Sequence, residues 1–279
     1  MSDSFADVGS NFEFVRTDVD ADAKVGTITI ERPDARNALN ATVREELQAA
    51  VDAAEADDDV RVLVLTGSEE GGAFIAGADI TEFRERDHVE QREISQRPRV
   101  YEAFADADLP VIAAINGHCL GGGCEVAQAC DVRIAKDGAK LGQPEINLGI
   151  IPGGGGTQRL PDLVGEGQAL KLILSGELID ADEAKEIGLV EEVHDEGDFE
   201  DRVYELAGTI AEKSPLALRH AKEAVRAGSR MGRNEGLDYE IELFSSLFGT
   251  HDMQEGVDRR VLRGPRPRVR GELARLLAE

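Results

Sequence analysis

Gly117-His118-Cys119-Leu120-Gly121-Gly122-Gly123-Cys124-Glu125 follows the apolar run Val111-Ile112-Ala113-Ala114-Ile115 and leads into Val126-Ala127-Gln128-Ala129-Cys130. The order is that of a buried strand, a turn of bare backbone and a short helix too small and apolar to face water. Glycine lets a ligand approach the main chain, and the first turn of a helix points N–H groups at whatever lies there. The junction can therefore hold an oxyanion. Glu125 stands at it. Twenty residues on, Gly142-Gln143-Pro144-Glu145-Ile146-Asn147-Leu148-Gly149 carries a second glutamate, Glu145, on glycine-flanked backbone. Two carboxylates on backbone of this kind point to acid/base chemistry.

On the N-terminal side, alternation and β-branched runs predict strands over 12–18, 25–31 and 60–65 and a helix over 40–56; Asp131-Val132-Arg133-Ile134-Ala135 predicts a further strand. Strands alternating with helices define an α/β protein. Past about Phe199 the strand patterns stop, and helices are expected over 199–212, 215–227 and 234–248. Pro215 suits a first helical turn, and Ser214 can cap it. The expected organisation is a core over 1–198 that carries the site and a helical domain over 199–279, of which 257–279 is an atypical basic tail. Leu237, Ile241, Phe244 and Phe248 fall at helical spacing, a stripe that either seals a subunit interface or packs within the chain.

The 279 residues carry 56 Asp and Glu against 31 Lys and Arg, a formal charge of −25. Such a surface repels nucleic acid and anionic membrane, so neither is expected as a partner. It also keeps a protein hydrated at high salt, where screening quiets self-repulsion, and a halophilic host is the expectation. Cys119, Cys124 and Cys130 are odd in number and lack the paired spacing of a zinc site. A reduced cytoplasmic compartment without disulfides or a metal follows. Neither a membrane-spanning apolar run nor the basic start of a signal peptide is seen.

Two further stretches complete a pattern: Gly72-Ala73-Phe74-Ile75-Ala76-Gly77-Ala78-Asp79-Ile80, and Ile151-Pro152-Gly153-Gly154-Gly155-Gly156-Thr157-Gln158-Arg159-Leu160. Together with the two glutamate stretches, and in this order, they resemble the crotonase (enoyl-CoA hydratase/isomerase) family from roughly Val25 to Gly256. The resemblance implies a spiral of ββα repeats with a C-terminal helical oligomerisation domain, assembled as a homotrimer that often pairs into a hexamer. It also implies an acyl-CoA thioester substrate and no cofactor beyond the CoA that the substrate carries.

By the same resemblance, the backbone N–H groups of Ala78 and Gly122 form the oxyanion hole. Glu125 positions and activates water, and Glu145 exchanges the proton with the α-carbon. Ala76, through its carbonyl, matches a position that meets the CoA adenine; Gly77, Asp79 and Ile80 of the same loop are expected to bind the substrate or its CoA with it, and Gly153 faces the acyl group. Residues Thr81 to Pro98 occupy the region that covers the acyl tail. The implied activity is that of an enoyl-CoA hydratase, adding water syn across a trans-2-enoyl-CoA to give a 3-hydroxyacyl-CoA in fatty-acid or related acyl-CoA metabolism. The rivals are an isomerase, which generally lacks the carboxylate at Glu125, a hydratase of branched or carboxylated enoyl-CoA, and an RNA-binding relative, which the charge opposes.

His118 reads as a structural histidine, Asp79 also as a cap, and Arg159 as an ion-pair residue rather than a phosphate ligand. The tail departs from the family. From Arg259 to Arg270 an acidic protein turns basic, which is the mark of a basic arm, of a disordered end or of a slipped reading frame. With suitable codons, Arg263 to Arg270 read one base later spell Glu-Asp-Arg-Asp-Pro-Glu-Phe.

Overall fold

A computed structural model describes residues 4–262. Ten strands form two sheets: β1 Val15–Asp20, β2 Val25–Ile30, β3 Val62–Gly67, β4 Ala73–Ile75, β5 Val111–Ile115, β6 His118–Leu120, β7 Val132–Lys136, β8 Lys140–Gly142, β9 Leu178–Asp180 and β10 Glu192–His194. The larger sheet has the order β1-β2-β3-β5-β7-β10 and is parallel except for the β1–β2 hairpin; the smaller has the order β4-β6-β8-β9, with only β8–β9 antiparallel. Each of β3, β5 and β7 in the large sheet is followed by β4, β6 or β8 in the small one. The chain thus winds as the expected spiral.

The helices of the first unit are α1 Phe5–Val8, α2 Ala41–Glu55, α3 His88–Ile94, α4 Val100–Asp106, α5 Gly122–Ala129, α6 Gly156–Val164, α7 Glu166–Ser175, α8 Ala181–Glu186 and α9 Glu196–Ala211. Asn40 caps α2 by accepting from the Val43 N–H at 2.8 Å, and Val43, Leu47, Ala50, Val51 and Ala54 give that helix one buried face.

Every residue of β5 is buried because the large sheet is covered on both sides. Leu63 and Leu65 of β3 point into a core shared with Leu47, Phe104 and Val126, while Val62 and Val64 point into a second core with Ile112 and Ile134. Phe199, Val203, Ala207 and Ala211 of α9 close that second core. Burying a side chain the size of Phe or Val contributes about 2 kcal/mol.

The described chain divides between Pro215 and Leu216 into two compact units. The sequence reading opened the helical domain at 199. The helix there instead lies on the sheet in the first unit, since its apolar stripe is what the exposed sheet face requires. A second difference is at the start of β1. Phe12 to Phe14 precede the strand, and the N–H groups of Glu13 and Phe14 go to the buried Glu46 carboxylate, at 2.6 and 2.9 Å, instead of to a strand.

The second unit contains α10 Pro215–Gly228, α11 Arg233–Leu247 and α12 His251–Leu262. Within it the Tyr239 hydroxyl donates to the Glu223 carboxylate, and Phe244 meets Phe248 edge-on at 5.0 Å. Leu237, Ile241, Phe244 and Phe248 are each about half exposed, at 49, 56, 60 and 55%. The basic stretch beyond Leu262, including the segment whose frame is in question, lies outside the described residues. Among the described residues no helix is long and apolar enough to cross a membrane.

Candidate active site

Strands β6 and β8 are neighbours, with Leu120 opposite Gly142 and the Gly121 N–H donating to the Gly142 carbonyl at 2.9 Å. This pairing sets the two glycine stretches side by side. β6 runs into α5 and delivers Glu125; β8 runs into the 3₁₀ turn Pro144–Leu148 and delivers Glu145. The turn between β6 and α5 needs a positive φ, +49° at Gly121, which a side chain adopts only with strain.

Glu125 is 2% exposed. Its Oε1 accepts from the N–H groups of Gly154 and Gly156, at 2.6 and 2.8 Å. Burial pushes its carboxyl up, and those two donors oppose the shift. Glu145 is pushed up to about 7, first by burial and then by the negative charge of Glu125. A carboxyl that holds its proton near neutrality beside a second carboxylate has the property a proton donor and acceptor requires. The fully buried Gln143, in the amide orientation that satisfies its neighbours, donates to both oxygens of Glu145 at 3.1 Å and accepts from Gln128 at 2.9 Å.

The Gly122 N–H lies in the first turn of α5, before the first intrahelical bond from Glu125 N to Gly121 O. Ala78 follows β4, in a bridge to Leu39 made by the Gly77 carbonyl and the Asp79 N–H on either side of it. A Cβ on Gly122 would stand 3.3 Å from the Ala78 nitrogen. The two N–H groups expected to bind an oxyanion thus come from separate turns of the spiral to one place, and the helix dipole adds to the Gly122 donor.

The remaining expected residues are placed as follows. The Ala76 N–H donates to the Arg36 carbonyl at 3.2 Å, and the Gly77 carbonyl accepts from Leu39 at 2.8 Å. Asp79 caps the short turn Ile80–Phe83 through Thr81 and pairs with Arg32 at 2.7 Å, so both its oxygens are engaged within the protein. Ile80 is exposed, at 55%. Gly153 lies three residues before α6 begins; its carbonyl accepts from Arg99, and it is Gly154 and Gly156 that reach Glu125. His118 accepts the backbone N–H of Lys140 at 3.2 Å, a bond between neighbouring strands. Arg159 donates to the Gly154 carbonyl at 2.9 Å and pairs with Glu102 at 3.7 Å.

Sequence reading passed over Arg99 and Tyr101 at the start of α4. The Tyr101 hydroxyl stands 3.2 Å from where a Gly122 Cβ would be, and its ring carbon Cζ 2.3 Å from the corresponding point on Gly154. Glu125 Oε2 is 2.6 Å from that second point. The ring therefore wedges between the oxyanion turn and the loop that holds Glu125. Its phenol is raised by burial and then by the charge of Glu125. One signal was available: a tyrosine on the apolar stripe of Val100, Phe104 and Ala105 must bring its hydroxyl to a polar place.

Comparison with known proteins agrees with this architecture. Residues 20–265 match the enoyl-CoA hydratase/isomerase family. A probable enoyl-CoA hydratase of Rhizobium meliloti is 46% identical over 239 residues, covering 86% of this chain and 92% of that protein. The short-chain-enoyl-CoA hydratase of Clostridium acetobutylicum is 40% identical over 240 residues, with the same coverage of 86% and 92%. Among solved structures, an enoyl-CoA hydratase from Bacillus anthracis is 39% identical, superposes with a TM-score of 0.82, and covers 88% of this chain and 95% of its own. The chain belongs to the enoyl-CoA hydratase/isomerase family.

Proposed function

We propose that the protein is an enoyl-CoA hydratase that adds water syn across the double bond of a trans-2-enoyl-CoA. The observation that carries this reading is that Glu125 and Glu145 are both present, both buried enough to be raised, and electrostatically linked. The thioester oxygen sits between the N–H groups of Ala78 and Gly122, which take up the negative charge that forms as the β-carbon is attacked. Glu125, ionised, accepts a proton from water as the oxygen bonds to the β-carbon; Glu145, protonated, gives its proton to the α-carbon. One O–H and one carboxyl O–H bond break, the C=C π bond is lost, and C–O, C–H and a new carboxyl O–H bond form. The pair holds one proton before and after, and dehydration runs the same steps backward.

The same reading extends to setting and assembly. The enzyme acts in fatty-acid or related acyl-CoA breakdown in the cytoplasm, needs no cofactor besides the CoA of its substrate, and contacts neither nucleic acid nor membrane. The half-exposed stripe from Leu237 to Phe248 supports a homotrimer or a hexamer of two trimers. The charge of −25 supports work at high salt.

The direct test is hydration of crotonyl-CoA, followed as loss of the conjugated thioester absorbance in high salt, for the wild type beside Glu125→Gln and Glu145→Gln. Loss of activity in either variant supports its assigned role. A folded wild type that binds CoA esters and leaves every enoyl-CoA tried unchanged would overturn the hydratase reading.

A further inference from the structure

The Gly153–Gly154 peptide unit is held at both ends. Its carbonyl oxygen accepts from Arg99 Nη1 at 2.5 Å, and its N–H donates to Glu125 Oε1 at 2.6 Å. A cation thus stands at the oxygen end of one peptide dipole and a carboxyl group at the N–H end. Arg99 is itself fixed. Its backbone N–H, Nε and Nη2 all donate to the Glu102 carboxylate, at 3.0, 3.2 and 3.1 Å, and its guanidinium lies 5.2 Å from the centre of the Tyr101 ring. Glu102 is 5% exposed, and the arginines beside it hold its carboxyl below the usual range against the effect of burial.

The loop that presents the donors is Gly153-Gly154-Gly155-Gly156, four residues with no side chain to limit their backbone. Such a run has more conformations to lose than any other sequence, and nothing within it selects the one that points Gly154 and Gly156 at Glu125. The selection must come from outside. Arg159 supplies part of it by donating to the next carbonyl, that of Gly154, at 2.9 Å.

We infer that Arg99, locked by Glu102, is a positioning residue for hydration: by gripping the Gly153 carbonyl it orients the peptide N–H that holds Glu125 toward the water. The inference rests on the role given to Glu125 above. It acts through the peptide rather than on substrate, so its loss lowers turnover and leaves acyl-CoA binding in place. A small displacement of a catalytic group is costly, with a shift of about 1 Å worth up to about a hundredfold in rate.

Crotonyl-CoA hydration by Arg99→Met tests this, the methionine keeping an apolar stem on Tyr101 while removing every side-chain donor. The expected result is a kcat lower by about tenfold or more with KM within about twofold of wild type, measured at a temperature where both proteins are folded, because the buried Glu102 carboxylate loses two donors and the melting temperature falls. Arg99→Lys, which restores one charged donor, is expected to recover part of the loss. Arg16→Met is the control. Arg16, in β1, pairs with Glu31 at 3.3 Å and makes no bond to the glycine loop, so it should keep wild-type kcat. Should Arg99→Met not fold, Arg99→Gln is measured in its place with the same expectation. A kcat within twofold of wild type in a folded Arg99 variant, or an equal loss in Arg16→Met, would overturn the inference.

Discussion

Glu145 Oε1 lies 2.9 Å from the point at which a Cβ on Gly121 would stand. The bare backbone of one glycine stretch is thus in contact with the carboxylate of the other, and the turn that starts α5 also sets where Glu145 can be. Gly121→Ala would displace that carboxylate and force a side chain into φ +49°. The expected outcome is a loss of about a hundredfold in kcat and a destabilisation of about 1–3 kcal/mol. Crotonyl-CoA kinetics and urea unfolding measure the two separately, and wild-type turnover would show that the contact does not position Glu145.

The proton held by the carboxyl pair sets the pH response. Glu145 is pushed up to about 7, and hydration and dehydration both start from the pair with one proton. The value of kcat/KM should therefore fall about tenfold per pH unit above about 7, as that proton is lost, and fall again on the acid side, where Glu125, itself raised by burial, takes up a second one. Stability has the same sign. A folded-state pKa raised from 4.5 to about 7 makes a contribution that is complete below about 4.5 and is lost as pH rises through about 7. A rate that climbs between pH 7 and 8 would contradict the assignment.

At Tyr101 the ring and the hydroxyl can be told apart. The ring fills the space between Gly122 and Gly154, and no hydrogen bond to the hydroxyl is made among the described residues. Tyr101→Phe should cost less than about 1 kcal/mol, whereas Tyr101→Ala should cost about 3 kcal/mol or more through the cavity it leaves. Urea midpoints in high salt give both values. Equal losses would mean that the hydroxyl, not the ring, carries the stability.

Salt should stabilise the fold. With a formal charge of −25, self-repulsion is long-ranged at low ionic strength and is screened beyond about 8 Å at 0.15 M and about 3 Å at 1 M. Melting temperature is expected to rise steadily from dilute buffer to molar potassium chloride. A flat response would remove the case for a halophilic protein.

Much of the molecule could be read in advance because its signals are local. The alternation of β-branched runs and helical stripes located five of the six strands of the large sheet, missing the three-residue β10, and the glycines beside Glu125 and Glu145 marked backbone that something must approach. Helix α9 was misassigned because its stripe of Phe199, Val203, Ala207 and Ala211 looks the same whether it packs on a sheet or on other helices. Which residues hold the glutamates was equally out of reach. Gly154 and Gly156 are indistinguishable by sequence from Gly153 and Gly155, and Arg99 sits 54 positions from the carbonyl it grips.

By itself, then, the sequence determined the α/β alternation, the acidic composition and the two glycine-flanked glutamates, which follow from periodicity, composition and glycine placed next to a titratable group, while the spiral is what the family resemblance implied. Only the tertiary structure decided that the charge of the buried Glu125 reaches the half-buried Glu145, that this charge and burial push Glu145 up to about 7, and that Arg99 reaches Glu125 through a peptide bond. The reason is physical. Propensity and capping act over a few residues, whereas desolvation, the field of a neighbouring charge and a bond between distant turns exist only once the chain has closed on itself.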